Sequence, residues 1–326
     1  MSLKKLLLSN LLILFILSSC ETDFDINAPW KDITVVYGLL NQNDNTHYVR
    51  IQKAFLGEGN ALHMALIPDS NLYPNNIHVT LQEWEGPNLK RTFNMDTVSI
   101  ENKEPGTFFN PKQPVYFTIA TLSPAYLYKL KVLNINTQKE ISSQTELVND
   151  FTIDRPGFGA NLNFSITPET PIIVKWYSAN YGKRYQVVMR FNYTEVITGT
   201  TDTLYKHIDW YSAVAKSKSL EGGELMEIKI NKSVLENMII GNIPKKMEVT
   251  RKLAPISFLF QVAADDLNTF IDVNEPSSSI IQDKPEFSNI TNGIGIFSAR
   301  YEKVRMHQLH PSTRQQIFAM EGYNFQ

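Results

Sequence analysis

Apolar residues alternate with polar residues along much of this chain, and that period of two constrains the fold more than any other feature of the sequence. The clearest run covers residues 185–194, where five apolar residues share one side and polar residues occupy most of the other. Successive side chains of a β-strand point to opposite faces of its sheet, so the run predicts a strand with one buried face. After a turn at 198–202, residues 204–210 are predicted to return as its hairpin partner. The apolar sides predicted in this way are Ile33, Val35 and Tyr37; His47, Val49 and Ile51; Ile77, Val79 and Leu81; Val115, Phe117 and Ile119; Ile172, Val174 and Trp176; and Tyr185, Val187, Met189, Phe191 and Tyr193.

Strands at this spacing, separated by Gly, Pro and Asn clusters, are typical of β-sandwiches. We therefore predict a mainly β protein with two Ig/fibronectin-III-like β-sandwich domains and a few short helices in the second. The turn-rich stretch Asp154–Gly157 predicts the boundary between them. The predicted parts are a signal peptide at 1–19, an acidic tether at 20–32, an N-terminal β-sandwich domain at 33–153, a C-terminal β-rich domain at 154–310 and a C-terminal tail at 311–326.

Two local patterns add detail to these domains. Leu122-Ser-Pro124 leads, four residues after the proline, to Tyr128 at the start of a strand, which resembles a fibronectin type III segment. In that fold such a tyrosine bonds its hydroxyl to nearby backbone and closes a corner between strands. Two short helices are also predicted. One is capped by Asn231 or Ser233 and runs through Ile240, and the other covers 263–272.

The first twenty residues have the layout of a secretory signal peptide. Lys4 and Lys5 precede an apolar run at 6–17. The segment ends with Leu17-Ser18-Ser19-Cys20, in which two small residues precede a cysteine. The apolar run is shorter than the roughly 20 residues that a membrane-spanning helix needs. The four-residue ending resembles the lipobox of bacterial lipoproteins, which implies cleavage before Cys20 and covalent lipid on its thiol. Cys20 is the only cysteine of the chain and therefore has no intramolecular disulfide partner.

Three acidic residues within 21–25 follow the predicted cut. Such a start resembles the export signal of lipoproteins that face the outside of the outer membrane, and the alternative is a solvated tether. We therefore expect a lipid-anchored outer-membrane protein that faces the cell exterior.

Three segments together resemble one family. Val35–Leu40 opens the body, Pro124–Val132 closes its first half, and Phe287–Phe297 contains Ser-Asn-Ile-x-Asn-Gly-x-Gly-Ile-Phe. These resemble a Bacteroidota family of outer-membrane lipoproteins catalogued as domain of unknown function forty-two forty-nine. The resemblance implies a surface lipoprotein that accompanies a TonB-dependent receptor, and it implies no catalytic residues. The chain departs from the family at Ser298-Ala299-Arg300 and in its long final segment. Taken by itself, Asn292-Gly293 predicts a turn that enters a terminal strand.

The sequence contains no motif typical of an enzyme, a cofactor site or a metal site. Gly-x-Ser-x-Gly, His-Glu-x-x-His and the phosphate-binding glycine loop are all missing. His307 and His310 are spaced to share a helix face as metal ligands, but surface histidines are the favoured interpretation. Asp272-Val-Asn274-Glu275 begins like a calcium loop, yet Pro276 and Ser277 break the pattern. We therefore predict a protein that is not an enzyme and has no cofactor besides the lipid on Cys20.

Aromatic residues offer the best candidates for ligand contact. In a strand that contains Trp210-Tyr211, one of the two rings must face outward, so this pair is the predicted contact site. A formal net charge of −2 provides no basic surface for nucleic acid. The favoured hypothesis is a non-enzymatic accessory or binding component of a TonB-dependent outer-membrane uptake system, with a β-barrel receptor as partner and a glycan or peptide as ligand. The alternative is an independent glycan- or matrix-binding adhesin.

Replacement of Cys20 tests the predicted anchor. Cys20→Ala removes the thiol that is predicted to receive lipid. Several acyl chains hold a protein on a membrane far more durably than a single chain does, so their loss should release it. We expect the variant to leave the membrane fraction or to accumulate uncleaved, as measured by fractionation and by the mass of the mature N-terminal peptide. Normal cleavage and full membrane retention of Cys20→Ala would contradict the lipobox interpretation.

Overall fold

The structure is a computed structural model that describes residues 31–56, 61–73, 76–101, 113–165, 170–246, 248–275 and 286–326. The signal peptide, Cys20 and nearly all of the predicted tether lie outside these residues, so the lipidation of Cys20 stays a prediction.

The predicted mainly β class is confirmed, with several antiparallel sheets consistent with a β-sandwich. Its strands are β1 (Lys31–Leu40), β2 (Thr46–Leu56), β3 (Ile77–Glu85), β4 (Asn88–Asn94), β5 (Asp96–Ile100), β6 (Gln113–Ile119), β7 (Leu127–Asn134), β8 (Glu140–Glu146), β9 (Ile153–Arg155), β10 (Ile172–Tyr177), β11 (Arg184–Ile197), β12 (Thr203–Tyr211), β13 (Ala215–Lys216), β14 (Leu225–Ile230), β15 (Val249–Leu253), β16 (Ile256–Ala263) and β17 (Gly293–His307). Its helices are α1 (Ala61–Ala65), α2 (Pro68–Asn71), α3 (Ser233–Asn242), α4 (Asp265–Asn274) and α5 (Pro311–Phe318).

One large sheet crosses both halves of the chain. Its order is β12-β11-β16-β17-β1-β2-β6-β5, while β4-β3-β7-β8 and β14-β10-β9 form two smaller sheets. A continuous hydrophobic core contains residues from all three sheets. We call the face of the large sheet that contributes to this core the inner face and the opposite one the outer face. The division between 33–153 and 154–310 stays a prediction, and strands from both sides of it belong to the same sheet.

The two halves join where β1 pairs with β17 in parallel. Gly293 lies opposite Thr34, and Gly295 lies opposite Val36. A Cβ on Gly293 would lie 2.7 Å from the carbonyl oxygen of Thr34, and a Cβ on Gly295 would overlap the carbonyl oxygen of Val36. Gly295 also has a φ of +114°, a conformation that residues with a side chain rarely adopt. The opening and closing motifs of the sequence are therefore structural partners of each other.

The segment before β17 fixes its entry. Asn289 donates from Nδ2 to the carbonyl oxygen of Phe297 and accepts at Oδ1 from the Phe297 amide, at 2.8 and 3.0 Å. Thr291 exchanges backbone hydrogen bonds with Ser142 of β8. Asn292 has a φ of +60°, which confirms the predicted turn before the terminal strand. The closing motif thus binds the large sheet and one small sheet together.

Two predicted strands bury the side opposite to the one that their apolar residues suggested. In β1 the inner face carries Thr34, Val36 and Leu40, while Tyr37 lies on the outer face with its ring 6.3 Å from that of Phe270 in α4. In β6 the inner residues are Tyr116 and Thr118. Of the predicted side, Val115 is buried, Phe117 is half-buried and Ile119 is exposed. Both strands are apolar on two sides, so alternation alone does not choose between them. The other apolar sides are buried as predicted, apart from the half-buried Ile172.

The predicted tyrosine contact is present. The Tyr128 hydroxyl accepts from the Ser123 amide at 2.8 Å and also contacts the carbonyl oxygen of Ser123 at 3.1 Å. It donates to the buried carboxylate of Glu83 at 2.9 Å, and Arg91 binds that carboxylate with two hydrogen bonds. Burial and the contact with Glu83 raise the pKa of Tyr128 far above its ordinary value, so the hydroxyl keeps its proton and remains a donor. Trp176 is fully buried in the core, as its alternation predicts.

The helices differ from the prediction in three respects. α3 and α4 exist, but α3 begins after Lys232 and neither Asn231 nor Ser233 caps it with a side chain. α1 and α2 lie in the first half and are too short to produce a helical period. Residues 311–326, predicted as a tail, fold onto the second half: the buried Arg251 donates to the carbonyl oxygen of Tyr323 at 2.6 Å and to Glu195 at 3.0 Å. None of the helices that the structure describes has the length and apolar character to cross a lipid bilayer.

Gly295→Ala tests the close pairing of β1 with β17. The added methyl group requires the strands to separate, and we expect the free energy of unfolding in urea to fall by about 3 kcal/mol or more. Gly199→Ala is the matched control, because Gly199 has a φ of +87° with open space around its Cβ position. That control should cost only about 1–2 kcal/mol, the backbone penalty alone. Equal losses in the two variants would contradict the close approach.

Candidate binding cleft

A cleft of about 470 Å³ opens on the outer face of the large sheet. The turn after β1, helix α4 and the adjoining parts of β11, β16 and β17 form its walls. Sites for small molecules usually have volumes of roughly 300–1,000 Å³, so this cleft has the size of a ligand site.

A row of polar side chains crosses the floor of the cleft. Gln186 of β11 pairs with Gln261 of β16, which pairs with Glu302 of β17. Paired residues on neighbouring strands project to the same face, so the three side chains lie side by side. Gln186 donates to the carbonyl oxygen of Ser212, whereas Gln261 and Glu302 are exposed. We call Gln186, Gln261 and Glu302 the polar row.

Two guanidinium groups lie one row further along the same strands. Arg184 and Arg300 flank Ala263, which pairs with both. Arg184 donates to Asp272 of α4 at 2.8 Å and forms a second ion pair with Glu275. Arg300 is exposed, and no carboxylate in the described part of the chain pairs with it. Arg300 is therefore the cation of the cleft that can bind an anionic or polar group from solution.

Ion pairs hold α4 over one edge of the cleft. Asp272 accepts from Lys216 at 2.6 Å as well as from Arg184. The hydrogen bond from Lys216, together with the charges of both cations, lowers the pKa of the Asp272 carboxyl. Because this pKa is lowered in the folded protein, the ionised carboxylate of Asp272 stabilises the fold at pH values above the ordinary carboxyl pKa. This stabilisation is lost as the pH falls through the lowered pKa. Acid is therefore expected to loosen α4, and neutral pH to hold it.

An apolar row borders the polar row on its other side. Tyr211, Val188, Leu259 and Val304 pair in succession across β12, β11, β16 and β17. Val188 and Leu259 are buried, whereas Tyr211 and Val304 are exposed at the two ends. The apolar surface beside the polar row is therefore supplied by the two exposed ends of this row, Tyr211 and Val304. Most small-molecule sites combine apolar surface with hydrogen-bonding groups in this way.

The predicted contact pair is divided between the two faces of the sheet. Tyr211 is exposed on the outer face, whereas Trp210 is partly buried and packs against the core. This division follows from strand alternation, which also predicts that one ring faces outward. Tyr211 therefore remains a candidate for ligand contact, and the two rings do not form one surface.

The two histidines considered as metal ligands lie in different elements. His307 ends β17, is buried, and contacts the carbonyl oxygen of Ala160 through Nδ1 at 2.9 Å, so the expectation of a surface histidine is wrong for it. Burial lowers its pKa. His310 caps α5 by accepting from the Ser312 amide. Among the described residues, no group of three or more His, Cys, Asp or Glu side chains is arranged to hold a metal ion.

None of the residues that line the cleft was predicted from the sequence as a site residue, and Tyr211 lies beside the cleft rather than in its lining. One signal was present: Gln261 is a polar residue inside the otherwise apolar run Phe258–Val262. Its neighbours Gln186 and Glu302 lie 75 and 41 positions away, so only the register between distant strands brings them together. A scan against known protein-family models and a search of curated proteins gave no match to this chain.

Asp272→Asn tests whether the ion pairs position α4. The substitution removes the charge that both Arg184 and Lys216 contact, and we expect amide hydrogen exchange within α4 to become several-fold faster. The global free energy of unfolding should fall by less than about 1 kcal/mol, because these pairs are partly exposed. Glu140→Gln is the control, because it disrupts the similarly exposed ion pair between Glu140 of β8 and Lys131 of β7. Unchanged exchange in α4 of Asp272→Asn would show that the helix is held by packing alone.

Proposed function

We propose that this chain is a lipid-anchored lipoprotein of the outer membrane that faces the cell exterior and serves as a non-enzymatic binding component of a TonB-dependent uptake system. The signal that ends on Cys20 supports the anchor. The acidic residues after the predicted cut and the resemblance of the opening and closing motifs support the surface location and the receptor partner.

The position of the cleft relative to the start of β1 carries this proposal. The predicted anchor precedes Lys31, whereas the cleft includes Leu39 and the turn at Asn41–Asp44 that follows β1. Nine steps from Lys31 to Leu40 at about 3.3 Å each separate the two ends of the strand by about 30 Å. A binding site far from the membrane-attached end suits a protein that captures a ligand outside the cell.

The exposed groups of the cleft define the ligand that fits it. Arg300 binds a carboxylate, phosphate or sulfate, while the polar row donates and accepts hydrogen bonds. The apolar row adds contact area through Tyr211. Acidic sugars and short acidic peptides combine these properties, and both agree with the glycan or peptide ligand expected from the sequence.

Recovery of the full-length protein from outer membranes tests the partner and the ligand together. We expect a large β-barrel protein to co-purify from detergent extracts, and protease treatment of intact cells to digest the body. Small molecules released on denaturation should include a compound that the wild type and Lys252→Glu both retain. The amount retained by Arg300→Glu should be at least tenfold lower, because a charge-assisted hydrogen bond of about 1.5 kcal/mol is lost and the new carboxylate repels an anion. Lys252 is a suitable control because it is an exposed cation on β15, which pairs with the end of β11 that lies away from the cleft.

Recovery of the protein alone, with the body protected in intact cells, would contradict both the partner and the surface location. Identical small-molecule profiles for the three proteins would contradict ligand binding in the cleft.

The second candidate is an independent glycan- or matrix-binding adhesin, favoured by the exposed ring of Tyr211 beside the polar row. Tyr211→Ala should then weaken binding to a polysaccharide on a glycan array, whereas Tyr205→Ala should not. Tyr205 is more exposed and lies on the same face of the same strand, but it is six residue pairs further from the cleft. Glycan binding without a β-barrel partner would favour the adhesin, and an absence of binding across the array would exclude Tyr211 as a sugar contact.

A further inference from the structure

Four aliphatic side chains are exposed at the end of the molecule where β1 begins. Leu62, Leu66 and Ile67 of the α1–α2 region and Ile135 of the β7–β8 turn are exposed to 65%, 57%, 39% and 52%. We call these four residues the basal patch. Isolated exposed apolar residues are ordinary, but a group from separate chain segments at one end indicates a surface that contacts something.

Pairing and hydrogen bonds locate the basal patch beside the first residues of β1. Lys31 lies opposite Leu56, the last residue of β2, so the chain leaves this end of the sheet shortly before α1 begins. After α2, the hydroxyl of Tyr73 bonds to Thr34 of β1 at 2.7 Å. The amide of Ile135 donates to the carbonyl oxygen of Asn76, three residues further on, at 2.8 Å.

The α1–α2 part of the basal patch is held in a defined conformation. The buried side chain of Asn71 donates from Nδ2 to the carbonyl oxygens of Ala65 and Ile67, at 2.8 and 2.9 Å. The amide of Leu72 donates to the carbonyl oxygen of Pro68 at 2.8 Å. Leu66 and Ile67 are therefore presented by a small packed unit rather than by a long side loop.

The length of chain before Lys31 brings this end close to the predicted lipid. Cys20 and Lys31 are eleven positions apart. Even fully extended, eleven residues span at most about 40 Å. The lipid on Cys20 therefore keeps the basal patch at a high local concentration near the bilayer, which makes weak apolar contacts effective.

We infer that the basal patch docks on the membrane that holds Cys20, with Leu66 and Ile67 inserted at the boundary between headgroups and acyl chains. This inference rests on the proposed lipid anchor. Aliphatic side chains enter that boundary favourably when a second attachment already holds the protein there. Docking directs β1 away from the bilayer and places the cleft about 30 Å, the length of that strand, further from it.

Depth-dependent fluorescence quenching on the full lipidated protein tests the docking. Cys20 is the only native cysteine, and its thiol carries the lipid, so Leu66→Cys provides a unique site for an environment-sensitive fluorophore. Ile119→Cys is the matched control: Ile119 is also an aliphatic residue, is 73% exposed, and precedes Ala120, whose amide bonds to Asn45 at the other end of β1. In vesicles of phosphatidylethanolamine and phosphatidylglycerol, brominated acyl chains should quench the label at 66 several-fold more than the label at 119.

A second labelled site protects the test against a folding defect in the first. A fluorophore on Ile135→Cys should also be quenched, and adding Leu66→Glu and Ile67→Glu should reduce that quenching several-fold. Equal, weak quenching at 66, 135 and 119 in vesicle-bound protein would overturn the docking. A blue-shifted but unquenched label at 66 would also overturn it, since a protein surface would then cover the patch.

Flotation and mass separate failure of the docking from failure of the anchor. If the protein does not float with the vesicles and the N-terminal peptide carries no acyl mass, the proposed lipid anchor is wrong. If the protein floats and is acylated but its labels at 66 and 135 remain unquenched, the anchor holds and the docking alone is wrong.

Discussion

The parallel pairing of β1 with β17 is the contact on which the rest of the structure depends. Two peptide backbones approach so closely there that only glycine fits at 293 and 295, opposite the carbonyl oxygens of Thr34 and Val36. This pairing joins the strands of the second half and those of the first half into one sheet. Without it, the turn after β1 does not adjoin the strand that carries Arg300 and Glu302, and the cleft loses one wall.

The same strand gives the two ends of the molecule different roles. Its first residues lie beside the basal patch and follow the predicted lipid attachment, whereas its last residues and the following turn line the cleft. A strand of about 30 Å thus separates the predicted attachment point from the candidate binding cleft. The outer face of the large sheet carries the residues that line the cleft, and the inner face contributes to the hydrophobic core.

Features that depend on neighbouring residues were predictable from the sequence, and features that depend on distant pairing were not. The strand at 185–194, the Tyr128 hydroxyl contact and the turn at Asn292 each follow from a local pattern. The buried side of β1 did not, because Tyr37 is apolar yet faces α4, an element more than 200 residues away. The polar row and Arg300 depend on the register of β11, β16 and β17, which no local pattern encodes.

Native-state hydrogen exchange of the full-length protein tests the central claim most directly. If β1 and β17 join the halves into one unit, the amides of Val35–Leu40 and of Ile294–Phe297 should exchange together, and only through global unfolding. Their exchange should therefore show the same free energy and the same dependence on denaturant. Exchange of β1 through a lower-energy opening while β17 stays protected would contradict the account.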